Sequence, residues 1–389
     1  MPIINRAADL HDEVAAWRHD FHRHPELLYD VHRTATIVAD RLKEFGCDEV
    51  VTGLGRTGVV AMIRGRKRTS GKVIGLRADM DALPVHEDTG LEFTSTVPGK
   101  MHACGHDGHT AMLLGAAKYL SETRNFDGDV ALIFQPAEEG GAGGKAMVDD
   151  GLMDRFRIQE VYGLHNMPGI PAGEFWITPG PMLASVDTIS IRVTGKGGHG
   201  GGGVHLAVDT ILVAAQVINA LQSVVSRNVD ALQSAVLSIC SFHSGATHNV
   251  IPEVAELTGT VRTLNGAVRK LVEARIRDVA MNTAAAYGAR AEVSFEPICP
   301  VLVNHAEQTA FAANVARGIS GSDKVNAGMA PVMGGEDFAF MLEARPGAFV
   351  FLGTGPGEMC HHPRYRFNDE IIPAGISYWA RLVEEAMPA

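Results

Sequence analysis

Hydrophobic positions along the chain follow two periods. Between residues 9 and 22, Leu10, Val14, Trp17 and Phe21 recur at helical spacing and share one face. A second helix is predicted where Val38, Leu42 and Phe45 line one side and Gly46 supplies the stop. Short continuous apolar runs come next: "GVVAMI" (58–63), "KVIGLRA" (72–78), "DVALIFQ" (129–135), "EVYGL" (160–164) and, far downstream, "GAFVFLG" (347–353). Runs without alternation suit strands buried on both faces. A helix over His109–Leu120 lies between two of them. Strands alternating with helices predict an α/β domain, a mixed but largely parallel sheet flanked by helices.

The middle of the chain has a different pattern. "SVDTISIRVTG" alternates, most clearly from Asp187 to Thr194, and "AVDTILVAAQVINALQSVVSR" reads as a long helix. "SAVLSICSF" and "AELTGTVRTL" read as strands, "VRKLVEARIRDVAMNTAAAYG" as a helix, and "RAEVSFEPI" as a last strand. The order β-α-β-β-α-β is that of a ferredoxin-like α+β domain. The apolar strand 347–353 lies after it, so the small domain is read as an insertion. The expected division is 1–183 and 300–389 for the larger domain and 184–299 for the insert.

Composition narrows the function. The 389 residues are 46% hydrophobic and 20% charged, with a net charge of −11. That charge disfavours nucleic acid and anionic membrane as partners. A small anionic substrate stays possible wherever a local Arg overrides the field. Five cysteines form no disulfide framework. The start "MPIINRAADLHDEVAAW" has no apolar core of the signal-peptide kind, and the most apolar helix is broken by Asp209, Gln216 and Asn219. No membrane association and a cytoplasmic location are expected.

Candidate chemistry gathers just past the strands, where ligands bind in open α/β sheets. Asp79 and Asp81 follow "KVIGLRA", Glu138 and Glu139 follow "DVALIFQPA", His165 follows "EVYGL", and His361 follows "GAFVFLG" at a short distance. In "MHACGHDGHTA", Cys104 and His106 are two apart, so an extended backbone would project both to one side. The pair suits a soft or borderline divalent metal; a buried Cys beside a capping His, or a thiol nucleophile with a His base, are the other readings. Adjacent glutamates repel, and metal-assisted hydrolysis has two different uses for them: one carboxylate holds the ion and the other takes a proton from water. A solvated loop tip is the plain alternative. The glycines behind them are no phosphate loop, because Lys145 is followed by Ala146. Spacing does not choose between His361 and His362. His199, in the glycine-rich "GKGGHGGGGVH", sits either in a flexible turn or near a substrate. Arg262, in "GTVRT", is either an exposed strand residue or a bidentate anchor for a carboxylate.

These motifs together resemble a known family along essentially the whole chain. They are "HRHPEL" (22–27), "LRADMDALP" (76–84), "MHACGHDGHTAMLLGAA" (101–117), "FQPAEEGGAGG" (134–144), "GLHNMP" (163–168), "GKGGHG" (195–200), "HNVIP" (248–252), "GTVRT" (259–263), "GGEDFA" (334–339) and "HHPRYRFND" (361–369). The sequence is similar to the dinuclear metal-dependent amidohydrolases of the aminoacylase and carboxypeptidase group, in the branch of hippurate hydrolases, N-acyl-amino-acid amidohydrolases and plant auxin-conjugate hydrolases. The resemblance implies two divalent metal ions per subunit, drawn from Zn, Mn, Co or Ni, held by Cys104, His106, Glu139, His165 and His361. It implies Glu138 as the general base that activates a metal-bound water, and His199 as a catalytic residue carried by a lid. It implies Asn249 and Arg262 as substrate-binding residues and Asp81 as an orienter behind the metals. The implied reaction is hydrolysis of an N-acyl or N-aroyl amino acid to a carboxylic acid and a free amino acid. The insert would be a lid and dimerisation domain, and the protein a homodimer or higher homo-oligomer.

The sequence departs from the family's pattern near the lid. The loop after "GGHG" reads "GGGVHLAVDT" without the usual Pro, Thr210 stands where a Pro often follows the Asp, and Val31 replaces a common acidic residue. These changes bear on substrate choice rather than on the metal residues. Peptide-cleaving or N-carbamoyl-cleaving enzymes of the same group are the near alternatives, and a non-catalytic metal-binding homologue is the distant one.

Overall fold

A computed structural model describes residues 3–389. In chain order the elements that matter begin with helices α1 (His11–Arg23) and α2 (His32–Glu44) and strands β1 (Glu49–Leu54), β2 (Gly58–Arg64) and β3 (Val73–Asp79). Helix α3 (His106–Thr123), strand β4 (Asp129–Gln135), β5 (Glu160–Pro168) and the short β6 (Phe175–Trp176) follow. The middle contains β7 (Ser185–Thr194), β8 (Gly198–His199), α4 (Thr210–Ser223), β9 (Ala235–Ser244), β10 (Val250–Ile251), β11 (Val254–Thr263), α5 (Gly266–Ala286) and β12 (Arg290–Cys299). The chain ends with α6 (Ala306–Ser320), β13 (Val325–Asn326), β14 (Gly347–Gly355) and α7 (Ile372–Ala386).

The chain divides into two compact units. The first holds everything up to Met182, together with Val303–Ala330 and Asp337–Ala389. Its eight-stranded sheet has the order β1-β2-β4-β3-β5-β14-β6-β13. The centre, β4-β3-β5-β14, is parallel throughout, whereas β1, β2 and β6 add antiparallel pairings. Every residue of β3, β4 and β14 is buried, which is why their sequences read as unbroken apolar runs. Val14, Trp17 and Phe21 of α1, Leu113 and Leu120 of α3, and Ile376, Trp379 and Leu382 of α7 join the strands in one apolar core. Four neighbouring parallel strands thus end on one edge, and the loops leaving that edge carry the candidate chemistry.

The second unit is Leu183–Leu302 with Pro331–Glu336. Its antiparallel sheet has the order β9-β11-β7-β12. The register pairs Ile191 with Leu257 on one side and with Val293 on the other. The inward side chains of β7, Ile189, Ile191 and Val193, meet Val213, Val217 and Leu221 of α4 and Val272, Ile276 and Ala280 of α5. The helix expected from Ala207 begins at Thr210 instead, because the Asp209 carboxylate accepts from the backbone N–H groups of Ile211 and Leu212 and caps it. Pro331–Glu336 returns to this unit through a bridge between Leu183 and Val332 and a bond from Ala184 N to Gly334 O of 2.8 Å. No local pattern marks that return.

Candidate metal centre

Five of the family-implied residues, with Glu138 and Asp81, come together in the first unit at the carboxyl ends of β3, β4, β5 and β14. Cys104, His106 and His165 form one group whose ligand atoms lie within 4.8 Å of one another; Cys104, Glu139 and His361 form a second, and His106, Glu138 and Glu139 a third. The residues shared between groups fuse them into one cluster of sulfur, nitrogen and carboxylate oxygen.

The route by which Cys104 and His106 meet differs from the expected one. The segment between them is not extended: Gly105 takes the left-handed conformation, φ +90°, and His106 is already the first residue of α3. A Cβ at this glycine would lie 2.1 Å from Asn166 Oδ1 and 2.5 Å from the Tyr365 hydroxyl, so both backbone angle and space demand glycine. The turn aims both side chains into the cluster, as an extended strand would have done by a different geometry.

The adjacent glutamates are held by their backbones. Past β4 the chain turns through Ala137 at φ +56°, a left-handed angle that costs a non-glycine residue about 1 kcal/mol or more. One Asp81 carboxylate then accepts from both following amides, Glu138 N at 3.0 Å and Glu139 N at 3.1 Å. Asp81 also lies 3.5 Å from His106 Nδ1. It orients three site residues at once, two of them through the main chain. Glu139 Oε1 comes within 3.4 Å of His361 Nε2 and 3.9 Å of His106 Nε2, and Glu138 Oε2 stands 4.0 Å from the same His106 nitrogen. The two carboxylates therefore occupy different surroundings within one turn.

His165 lies inside β5, paired with Phe351, and not beyond a strand ending at Leu164. Its Nδ1 is 2.6 Å from the Asn166 carbonyl oxygen, which can only accept, so the ring proton sits on Nδ1 and the Nε2 lone pair is open. That Nε2 is 3.4 Å from Cys104 Sγ. His361 has φ +71° and is anchored by its amide to the Ala103 carbonyl at 2.7 Å. His362 turns elsewhere: its Nδ1 accepts from Arg364 N at 3.1 Å and lies 3.8 Å from Glu358 Oε2. Of the two histidines, only His361 reaches the cluster.

Buried polar atoms test whether cations fit here. Both ring nitrogens of His106 and Oε1 of Glu139 are buried without a hydrogen bond, a costly state that metal coordination would relieve. The donor set is one thiol, three imidazoles and carboxylates, which suits borderline divalent ions. Without a cation, the protonation preferences of these groups differ, and only His165 and Glu139 are already in the form that a ligand needs. Burial lowers His165 well below the ordinary histidine range, so its ring is neutral and able to ligate. Burial disfavours charge on His106, yet Asp79, Asp81 and Glu139 outweigh it and raise the ring to about 10. Burial raises Glu139, but the nearby His361 ring, 3.4 Å away, and the charge of His106 bring it below the usual carboxylate range. Contact with the Cys360 thiol, then burial, pushes the Cys104 thiol up. A bound cation reverses that direction, because it favours thiolate.

His199, Asn249 and Arg262 all fall in the second unit. His199 in β8 pairs with Val250 of β10, and Gly200 N bonds Asn249 O at 2.8 Å, so the first two share a short ribbon. His199 Nδ1 accepts from Gly201 N at 3.0 Å and Gly202 N at 2.9 Å. That fixes the ring proton on the exposed Nε2. Arg262, on β11, donates to the Val261 carbonyl at 3.1 Å and to the Thr260 hydroxyl.

Several buried polar residues within the sequence motifs take part in the site without having been singled out by pattern or spacing. Arg77, within "LRADMDALP", donates to Gln135 Oε1 and Asp79 Oδ2, both at 2.8 Å, and to Asp337 Oδ1 at 3.1 Å. His109 joins Asp79 to Asn166. Asp107 accepts from Arg18 Nη1 at 3.0 Å and pairs with His22 Nδ1 at 2.8 Å. A charged residue in the middle of an apolar strand, as Arg77 is, was the one signal that could have found them.

Known proteins share this architecture and its sequence. The profile described as "Peptidase family M20/M25/M40" matches residues 75–385. The chain is 44% identical to a hippurate hydrolase of Campylobacter jejuni, over 98% of each sequence. It is 41% identical to an N-acetylcysteine deacetylase of Bacillus subtilis, over 96% of each. The crystal structure of a Bacillus subtilis protein described as a dinuclear metal binding peptidase from the M20 family superposes with a TM-score of 0.83 at 37% identity, covering 98% of this chain and 99% of that one.

Proposed function

The chain belongs to peptidase family M20/M25/M40, and on that premise we propose that it hydrolyses the amide bond of N-acyl or N-aroyl amino acids, releasing a carboxylic acid and a free amino acid. The observation that supports this most strongly is the cluster of Cys104, His106, Glu139, His165 and His361, with buried His106 and Glu139 atoms that have no hydrogen-bond partner. In this reading those five residues hold two divalent cations, of zinc, manganese, cobalt or nickel. Bound there, the ions supply positive charge that acidifies water and polarises a carbonyl.

The chain's own groups do the rest. Glu138, beside the cluster but not needed to hold an ion, takes a proton from the attacking water and returns it to the leaving amine. Asp81 holds both glutamate amides and so fixes the backbone from which the two carboxylates project. His199 presents an Nε2–H donor suited to a developing oxyanion. Arg262 and Asn249 receive the α-carboxylate of the amino-acid half. A metal-ligating thiolate requires Cys104 to stay reduced, which favours the cytoplasm. No helix among the described residues is long and apolar enough to cross a membrane. The second unit acts as lid and dimerisation domain in this reading, with the edge strand β9 as a pairing surface.

The test is a panel of N-acetyl, N-benzoyl and N-carbamoyl amino acids and dipeptides, assayed for amine release on protein reloaded with each metal. Acyl amino acids are expected to turn over fastest, and amides lacking the carboxylate slowest. Preferential cleavage of dipeptides or carbamoyl compounds would move the substrate assignment. No turnover of any amide by fully metallated protein would end the enzymatic reading.

A further inference from the structure

One buried residue, through its amide side chain and its backbone together, touches all three chain segments that bring thiol and imidazole groups to the centre. We propose that Asn166 is a positioning residue for the metal centre, setting the mutual geometry of Cys104, His106, His165 and His361; this rests on the metal-holding reading above.

Asn166 lies on β5 and is fully buried. Its backbone carbonyl oxygen accepts from the neighbouring His165 Nδ1 at 2.6 Å and so sets that ring's tautomer. Its backbone N is 3.0 Å and its side-chain Oδ1 2.6 Å from His109 Nε2 on α3. The opposite nitrogen of His109 is fastened to Asp79 Oδ1 at 2.6 Å, at the end of β3. Its Nδ2 donates to the Tyr365 hydroxyl at 2.7 Å and lies 3.9 Å from Cys360 Sγ, on either side of His361. Its Oδ1 fills the space that a Cβ on Gly105 would take, so it defines the turn between Cys104 and His106.

An apolar side chain of this size could fill the same volume without the cost of burying an amide. Packing alone therefore does not account for Asn166. What an amide adds is direction: in one plane, an acceptor that faces α3 and a donor group that faces residues 360–365. Loss of groups that orient metal ligands typically lowers metal affinity about 10- to 100-fold.

The experiment measures divalent-metal affinity by chelator competition on folded protein, below the unfolding temperature, for Zn²⁺ and Mn²⁺. Asn166→Ala is expected to bind about 10- to 100-fold more weakly than wild type. Leu382→Ala, a core truncation in α7 far along the chain, serves as control; it is expected to lose stability and keep its affinity. Asn166→Asp keeps an acceptor for His109 and can accept the Tyr365 hydroxyl proton, so it should recover most of the lost affinity. Should Asn166→Ala not fold, Tyr365→Phe, which removes one oxygen, decides, with weaker binding expected. Wild-type affinity in Asn166→Ala, or in Tyr365→Phe where that variant decides, overturns the proposal, as does an equal loss in Leu382→Ala. Wild-type protein that holds no divalent ion overturns the metal-centre reading itself, a distinct result.

Discussion

At the residue scale, Glu138 and Glu139 are neighbours in sequence with different surroundings. Glu139 contacts His361 and faces His106, whereas Glu138 approaches only to 4.0 Å of His106 Nε2. Glu138→Gln is expected to lower turnover by at least about a hundredfold, the lower range for a lost general base, with metal content per subunit unchanged by elemental analysis. Loss of metal in that variant would instead make Glu138 a ligand. A second residue-scale expectation concerns His22. Burial opposes its charge, but hydrogen bonds to Asp107 and Glu87 outweigh burial and raise its pKa to about 9. A raised histidine stabilises the fold fully below its unfolded value of 6.5, and that contribution fades as pH rises through 9. The shift corresponds to roughly 3 kcal/mol. Urea unfolding of wild type and His22→Asn at pH 6 and pH 9.5 should therefore show the gap between them narrowing by about that amount at the higher pH. A gap that does not change with pH would mean that folding does not raise the His22 pKa.

At the scale of elements, the centre depends on where strands stop and how the next segment starts. Helix α3 begins at His106, directly after the left-handed Gly105, which presents His106 and His109 from its first turn. Gly105→Ala faces an unfavourable φ and the Asn166 and Tyr365 side chains at once. It is expected to destabilise by on the order of 3 kcal/mol, visible as a lower unfolding midpoint. Gly71→Ala is the control for φ alone, since Gly71 has φ +65° and open space around its Cβ direction; its loss should be smaller. Most elements are legible in the sequence, because β2, β3, β4 and β14 are buried on both faces and α1 on one. The start of α3 is not, because a left-handed glycine leaves no periodic trace. The end of β5 lies beyond its apolar run for a related reason: His165 and Asn166 are polar yet lie in the strand, facing partners that only the fold supplies.

At the scale of the whole molecule, the orphaned polar atoms of the centre bear on stability as well as on chemistry. Ions that bind only the folded chain stabilise it by mass action, about 2.7 kcal/mol at a free concentration of 100 times Kd. Dialysis against a chelator should lower the melting temperature and abolish turnover, and divalent metal should restore both; an unchanged melting temperature would mean that the native state holds no ion. The sequence by itself marked the change from unbroken apolar runs to alternating strands in the middle of the chain, because helix and strand periods are local properties. It also marked Glu138, Glu139 and His165, because they follow apolar runs, and Cys104 and His106, because they lie two apart. Spacing left His361 and His362 open and only the family resemblance pointed to His361; the tertiary structure shows why it is the one that reaches the cluster, through a left-handed backbone at His361 and its tie to Ala103. Tertiary structure alone revealed Arg77, His109 and Asn166 as the frame behind the centre. Each acts through partners tens to hundreds of residues away, and hydrogen bonds over that separation leave no periodic pattern in a single sequence.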